Sequence, residues 1–202
     1  MERTVTVTGS GSVQVAPDLA VVRVAAVHRA ASAVEAMDGA FSASAAAGQA
    51  ARAYVEERHV ASTGVNLWNA HDHQGRPSGF EARHALRITC PDLAQAGPLL
   101  DALVTALGDR LQVEGVALQV ADATEARDRA VRAAYDDALA RATRLAALAG
   151  AALGPVVSVA EGSGTPLGAR VADLAMATAE AALEPGETTV SAAVTASWQL
   201  EV

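Results

Sequence analysis

Gly79-Phe80-Glu81-Ala82-Arg83-His84-Ala85-Leu86-Arg87-Ile88-Thr89-Cys90 alternates two kinds of side chain along one run of the chain. Phe80, Ala82, His84, Leu86, Ile88 and Cys90 share one face, while Glu81, Arg83, Arg87 and Thr89 share the other. A period of two marks a half-buried β-strand. Upstream lies a second strand, Gly64–Ala70, joined to it by the polar stretch His71-Asp72-His73-Gln74-Gly75-Arg76-Pro77-Ser78, so the two read as a hairpin with a long tip. Before the hairpin, Leu19–His28 is a Val-rich strand, and Ser32 to about Glu57 has a helical period. Ser32-Ala33-Val34-Glu35 fits a capping box, and Val34, Met37, Phe41, Ala45, Gly48 and Val55 form the expected buried stripe. After the hairpin, a helix is expected over Asp92–Leu107, bent or restarted at Pro98 and stopped at Gly108, followed by a strand over Val113–Val120. The order from Leu19 to Val120 is βαββαβ, the split-βαβ or ferredoxin-like unit.

The flanks extend this core. Thr4–Thr8 and Val13–Val15 alternate as strand, and Gly9-Ser10-Gly11 between them predicts a bulge or bend. Ala16-Pro17-Asp18 makes a turn. A long helix is expected over Asp122–Ala149, opened by a second capping box at Asp122-Ala123-Thr124-Glu125 and closed by Gly150. Its pairs Glu125/Arg129, Asp128/Arg132 and Asp137/Arg141 have the favourable acid-first spacing of a solvated helix face. Val156–Ala160 reads as a short strand, Gly162–Pro166 as a loop, and residues 170–183 as a weak helical pattern. Val190, Ala192, Val194, Ala196, Trp198, Leu200 and Val202 alternate along a final strand. With no linker in view, residues 1–202 read as a single α+β domain, three amphipathic helices covering a mostly antiparallel sheet with extra terminal strands.

The chain has 202 residues and is 51% hydrophobic but only 3% aromatic, which favours thin, close-packed elements over an aromatic-lined pocket. Every basic residue is Arg, which with the abundant Ala suggests a GC-rich bacterial coding bias. A net charge of −8 argues against nucleic acid, which demands a clustered positive footprint. Cys90 is the single cysteine, so neither an intrachain disulfide nor a multi-cysteine metal site can form. No stretch approaches the roughly 20 apolar residues of a spanning helix. The chain as written is expected to be cytoplasmic, with an exported envelope form as the alternative if the N-terminus has been trimmed.

Catalytic constellations are sparse. His71 and His73 could ligate a metal, but Asp72 points away from them in an extended hairpin and no third ligand is near, so no metal or other cofactor is expected. Gly9-x-Gly11 lacks the third glycine and the following helix of a dinucleotide site. No Gly-x-Ser-x-Gly elbow accompanies the serines. Cys90 and His84 lie on an apolar strand face, as a packing thiol and a core histidine. Trp68 lies on the opposite face from Val65 and Leu67, where it either covers a layer of its own subunit or anchors a partner. The terminal strands are long, free of proline and nearly uncharged, so an edge among them invites pairing with another copy. The candidate interface is therefore Trp68, His71, His73, Val190 and Val194, in a homo-oligomer.

Val7-Thr8-Gly9-Ser10-Gly11-Ser12-Val13-Gln14-Val15-Ala16-Pro17-Asp18-Leu19-Ala20 resembles the opening motif of the bacterial SIMPL-domain family, also known as DUF541. The likeness continues at Ser62-Thr63-Gly64-Val65, at Gly79-Phe80-Glu81-Ala82, at Leu148-Ala149-Gly150 with Leu153–Val159, and at Pro185–Val194. The resemblance implies an α+β domain, usually exported to the cell envelope, without established catalytic activity and prone to self-association. The expected function is a non-enzymatic, self-associating scaffold or partner-binding domain in an envelope- or stress-related setting. A small-ligand-binding protein and a metal-dependent hydrolase using His71 and His73 are the alternatives.

Overall fold

The computed structural model describes residues 3–162 and 186–201. Its elements run β1 (Thr4–Val15), β2 (Leu19–Ala30), α1 (Ala33–Ala51), β3 (Val60–His71), β4 (Pro77–Cys90), α2 (Ala96–Leu107), β5 (Leu111–Gln119), α3 (Thr124–Leu148), β6 (Ala152–Gly162) and β7 (Thr188–Glu201). They fall into two compact units, one formed by Pro17–Ala121 and the other by the flanking elements β1, α3, β6 and β7. The weak helical pattern at 170–183 and most of the Gly162–Pro166 loop lie outside the described residues.

The Pro17–Ala121 unit is the βαββαβ fold. Its four strands pair antiparallel in the order β3-β4-β2-β5, so β4 is inserted between β3 and β2 as a split βαβ unit requires. β2 is buried on both faces over most of its length, which explains its nearly continuous apolar run. The core joins Val22 and Val24 of β2, Leu86, Ile88 and Cys90 of β4, Ala43, Ala47 and Ala51 of α1, and Leu99, Leu103 and Leu107 of α2. Ser32 caps α1 in a complete box: its hydroxyl accepts from the Glu35 amide at 3.2 Å and its own amide donates to the Glu35 carboxylate at 3.3 Å. α2 starts at Ala96 and ends at Gly108, whose φ is 54°. Pro98 thus sits in the first turn, where its missing N–H has no intrahelical partner to lose.

The buried side of α1 differs from the expected stripe. Ala36, Ala40, Ala43, Ser44 and Ala47 face inward, while Val34 and Phe41 are exposed. Thin residues let the helix approach the sheet closely, and that contact outweighs the burial of two larger side chains at the rim. Val55, beyond the end of the helix, is buried as expected.

The terminal strands do not widen this sheet. They form a second, three-stranded antiparallel sheet in the order β1-β7-β6, and α3 lies on it. β1 pairs with β7 from Thr4↔Gln199 to Val15↔Thr188 without a break in register, so the bulge expected at Gly9-Ser10-Gly11 is absent. The two glycines serve helix approach instead. A Cβ at Gly9 would stand 2.1 Å from the Ala134 carbonyl oxygen, and one at Gly11 2.2 Å from that of Ala130. Opposite them, α3 presents Ala126, Ala130, Ala134, Ala138, Ala142 and Ala146, one per turn and all buried. Small residues on both sides bring the helix backbone onto the strand. Trp198, Val7, Ala138, Ala142 and Ala196 fill the rest of this core.

The second capping box also fails to form. Asp122 accepts from the Thr124 amide at 2.8 Å, and α3 begins after Ala123 without a side-chain cap. The Thr124 side chain first, and its amide second, hold the Asp122 carboxyl below the usual carboxylate range. At the other end the left-handed Gly150 (φ 69°) closes the helix, with the Ala151 amide donating to the Ala146 carbonyl at 3.0 Å.

Candidate interaction surface

Among the described residues, the two sheet orders leave four strand edges, and three of them carry recognisable protection. β1 is regular and uncharged, yet its edge is occupied. The Ser10 amide donates to Asp137 at 3.0 Å, and Arg141 donates to the Thr8 carbonyl at 3.2 Å. Asp137 and Arg141 also pair with each other at 2.9 Å, so this acid–base pair clasps the strand backbone and is more than a solvated face. The Ser10 amide, first of all, pulls the Asp137 carboxyl below its usual range. β6 carries Pro155, Glu161 and two register breaks. β5 carries Glu114 at a bulge opposite Arg23/Val24 and pairs that carboxylate with Arg83. Proline, charge and bulges are the usual devices that blunt an edge.

β3 is different. It is 12 residues long and pairs only with β4 among the described residues. From Val60 to Ala70 it contains neither a charge nor a proline. One bulge lies between Ser62 and Gly64, and the strand is regular from Gly64 to Ala70. The cross-strand register places Val65 and Leu67 opposite His84 and Ala82, on the helix-bearing face, and Trp68 opposite Glu81, on the other. Val65, Leu67 and Trp68 remain 40%, 42% and 42% exposed. Large apolar side chains therefore flank an unprotected backbone edge on both faces.

The hairpin tip is shorter than the expected stretch His71–Ser78, because β3 continues to His71 and β4 starts at Pro77. Asp72 organises the turn: its carboxylate accepts from the Gln74 amide at 2.8 Å and the Arg76 amide at 2.9 Å. Gly75 supplies the left-handed residue (φ 76°). Asp72 is committed to the turn, and no cluster of three metal-ligating side chains, at His71 and His73 or elsewhere, occurs among the described residues.

The other sequence candidates separate. Val194 is 2% exposed and lies under α3, since β7 is the central strand of its sheet and not an edge. Val190, on the same strand, is half-buried opposite Val13. Neither is placed with the Trp68 hairpin by the sheet pairings. Cys90 is fully buried, its thiol directed at the Asp92 carbonyl at 3.1 Å, and burial raises its pKa. His84 is 9% exposed, packs edge-on against Phe41, and meets the Ser62 hydroxyl at 2.8 Å through Nε2.

The Ser62–His84 contact was not anticipated from sequence, because the bulge at Thr63 sets Ser62 near His84 across the register. Among the described residues, the buried Nδ1 of His84 has no partner. A buried N–H without an acceptor costs more than an idle lone pair, so we place the proton on Nε2, donating to Ser62. In that tautomer no basic nitrogen faces the hydroxyl. Burial lowers the His84 pKa below 6.5. The unfolded chain then takes up a proton that the folded chain resists, so stability is full above about pH 6.5 and falls as the pH drops below it. His84→Gln should lose less stability than wild type between pH 7 and 5.5. The difference is bounded by the one-proton limit of about 1.4 kcal/mol per pH unit. Parallel denaturant titrations at each pH measure it, and identical pH slopes would show that His84 ionises freely.

Comparison with known families decides the kinship of the chain. A family profile described as SIMPL, a protein of unknown function (DUF541), matches residues 5–198. The chain belongs to the SIMPL family. A search of curated proteins found no match. The SIMPL match runs from β1 to β7 and so takes in both units. Among its described residues, no helix of this SIMPL chain is long and apolar enough to cross a membrane.

Proposed function

We propose that this SIMPL chain is a non-enzymatic, self-associating domain that serves as a scaffold or partner-binding module, in a bacterial envelope- or stress-related setting. The observation that carries the proposal is the β3 edge, uncharged and flanked by exposed Val65, Leu67 and Trp68. Unpaired strand backbone beside apolar side chains is a template for strand addition, where main-chain hydrogen bonds give affinity and side chains give selectivity. The isolated Ser62–His84 pair, without a base directed at the hydroxyl, supports the non-enzymatic part. Light scattering coupled to size exclusion should give a mass of twice the 20.4 kDa chain or more at micromolar concentration. Trp68→Ala should shift that mass toward the monomer. A 20.4 kDa species throughout a wide concentration range would overturn the proposal.

A second reading, small-ligand binding, draws support from an open groove of about 560 Å³ beside α3. Val131, Tyr135, Val159 and Val194 line it, with Asp128, Arg132 and Asp136 also contributing. A small molecule retained in the native mass spectrum would favour that reading over assembly.

A further inference from the structure

We infer that β3 pairs with β3 of a second copy, antiparallel, with Asn66 on the two-fold axis. The inference rests on the self-association reading and adds the surface, the partner and the register.

Closed two-fold pairing of a strand with itself sets residue i opposite a residue equally far beyond the axis, and side chains keep to their own face. With Asn66 at the centre, Val65 meets Leu67 of the other copy, and Leu67 meets its Val65. That forms one apolar quartet on the helix-bearing face. On the opposite face Trp68 meets Gly64 of the other copy. Gly64 has open space where a Cβ would point, with nothing within 4 Å. An indole can therefore lie across it, covering a glycine that otherwise leaves strand backbone bare. The two Asn66 side chains face each other on the axis and can exchange amide hydrogen bonds. Other centres lose this fit. An axis at Val65 sets Leu67 opposite Thr63, inside the bulge, and an axis at Leu67 sets Trp68 opposite Asn66 and Gly64 opposite Ala70.

Two further features favour a second copy as the occupant. The edge is uncharged, so the pairing brings no like charges together, the usual obstacle to self-pairing. The β1, β5 and β6 edges carry the protections described above, leaving β3 as the edge with an open, regular run from Gly64 to Ala70.

Engineered cysteines test the register, because directly opposed residues in antiparallel strands have Cα atoms about 4.5–5.5 Å apart, within disulfide range. Cys90 is buried and does not compete. Under mild oxidation Asn66→Cys should give a disulfide-linked dimer. Val65→Cys and Leu67→Cys should each stay largely unlinked alone and link when mixed. Leu67→Arg, on an exposed side chain, should keep the wild-type circular dichroism and weaken association at least tenfold. Oligomers that persist in light scattering without an Asn66→Cys link, or with Val65→Cys linking to itself, would overturn the register and leave self-association standing. A wild-type monomer at every concentration would overturn both. Leu67→Arg that stays folded and fully assembled would remove β3 from the interface.

Discussion

Gly11→Ala should destabilise the three-stranded unit by about 3 kcal/mol, and Gly9→Val should prevent it from closing. One added carbon at position 11 meets the Ala130 carbonyl oxygen at 2.2 Å and the Ala134 amide nitrogen at 2.5 Å. Both are helix backbone, so no rotamer change relieves the collision. The α3 helix must lift away, which opens the contacts of its buried alanines one turn after another. Gly48→Ala is the counterpart, inside α1 with nothing within 4 Å of the new methyl. It should stabilise the protein by about 0.5–1 kcal/mol, the usual gain from removing a helix-interior glycine. Denaturant unfolding of the three variants gives the comparison. A Gly11→Ala protein as stable as wild type would show that strand and helix do not meet as described.

Trp198→Ala should cost about 3–5 kcal/mol, as expected for emptying a buried aromatic site. Trp198 is 3% exposed, packs in one cluster with Val7, Ala138, Ala142 and Ala196, and has the Tyr135 ring 6.2 Å away, centre to centre. Three of its buried neighbours, Ala138, Ala142 and Ala196, are too short to swing in and fill the space. Trp68→Ala should cost only about 1 kcal/mol, because Trp68 is 42% exposed on the edge strand. Far-ultraviolet circular dichroism during chemical unfolding follows both variants. Equal losses would contradict the contrast in burial.

Much of the fold was legible because its signals are local. The alternation of β4, the Ser32 box, Pro98 at the start of α2 and the glycines at 108 and 150 all act within a few residues, and they gave the βαββαβ order. What escaped depends on distant partners. Gly9 and Gly11 fit either a bulge or a close approach, and the helix that decides between them lies more than a hundred residues on. In α1, alanine on every side left Val34 and Phe41 as the visible apolar signal, though they face solvent. The second sheet stayed hidden because β1 and β7 pair across nearly the whole chain. For the candidate surface, Trp68 was legible as a lone aromatic of uncertain side. The uncharged run Val60–Ala70 was equally visible, but its meaning needed the sheet order that makes β3 an edge.

The seam between Gly9, Gly11 and the alanine row of α3 also governs how this sequence can drift over generations. Its residues already stand at the small end of the size scale, so nearly every substitution there adds volume. An enlargement on the strand meets helix backbone, and backbone cannot mutate to make room. Compensation would require α3 to ride higher along its whole length, with larger residues at 126, 130, 134, 138, 142 and 146 together. No single step on that route is neutral. The seam works as a ratchet: lineages can leave it only by abandoning the helix–sheet contact, while exposed positions on the same helix such as Leu145 and Leu148 remain free to vary.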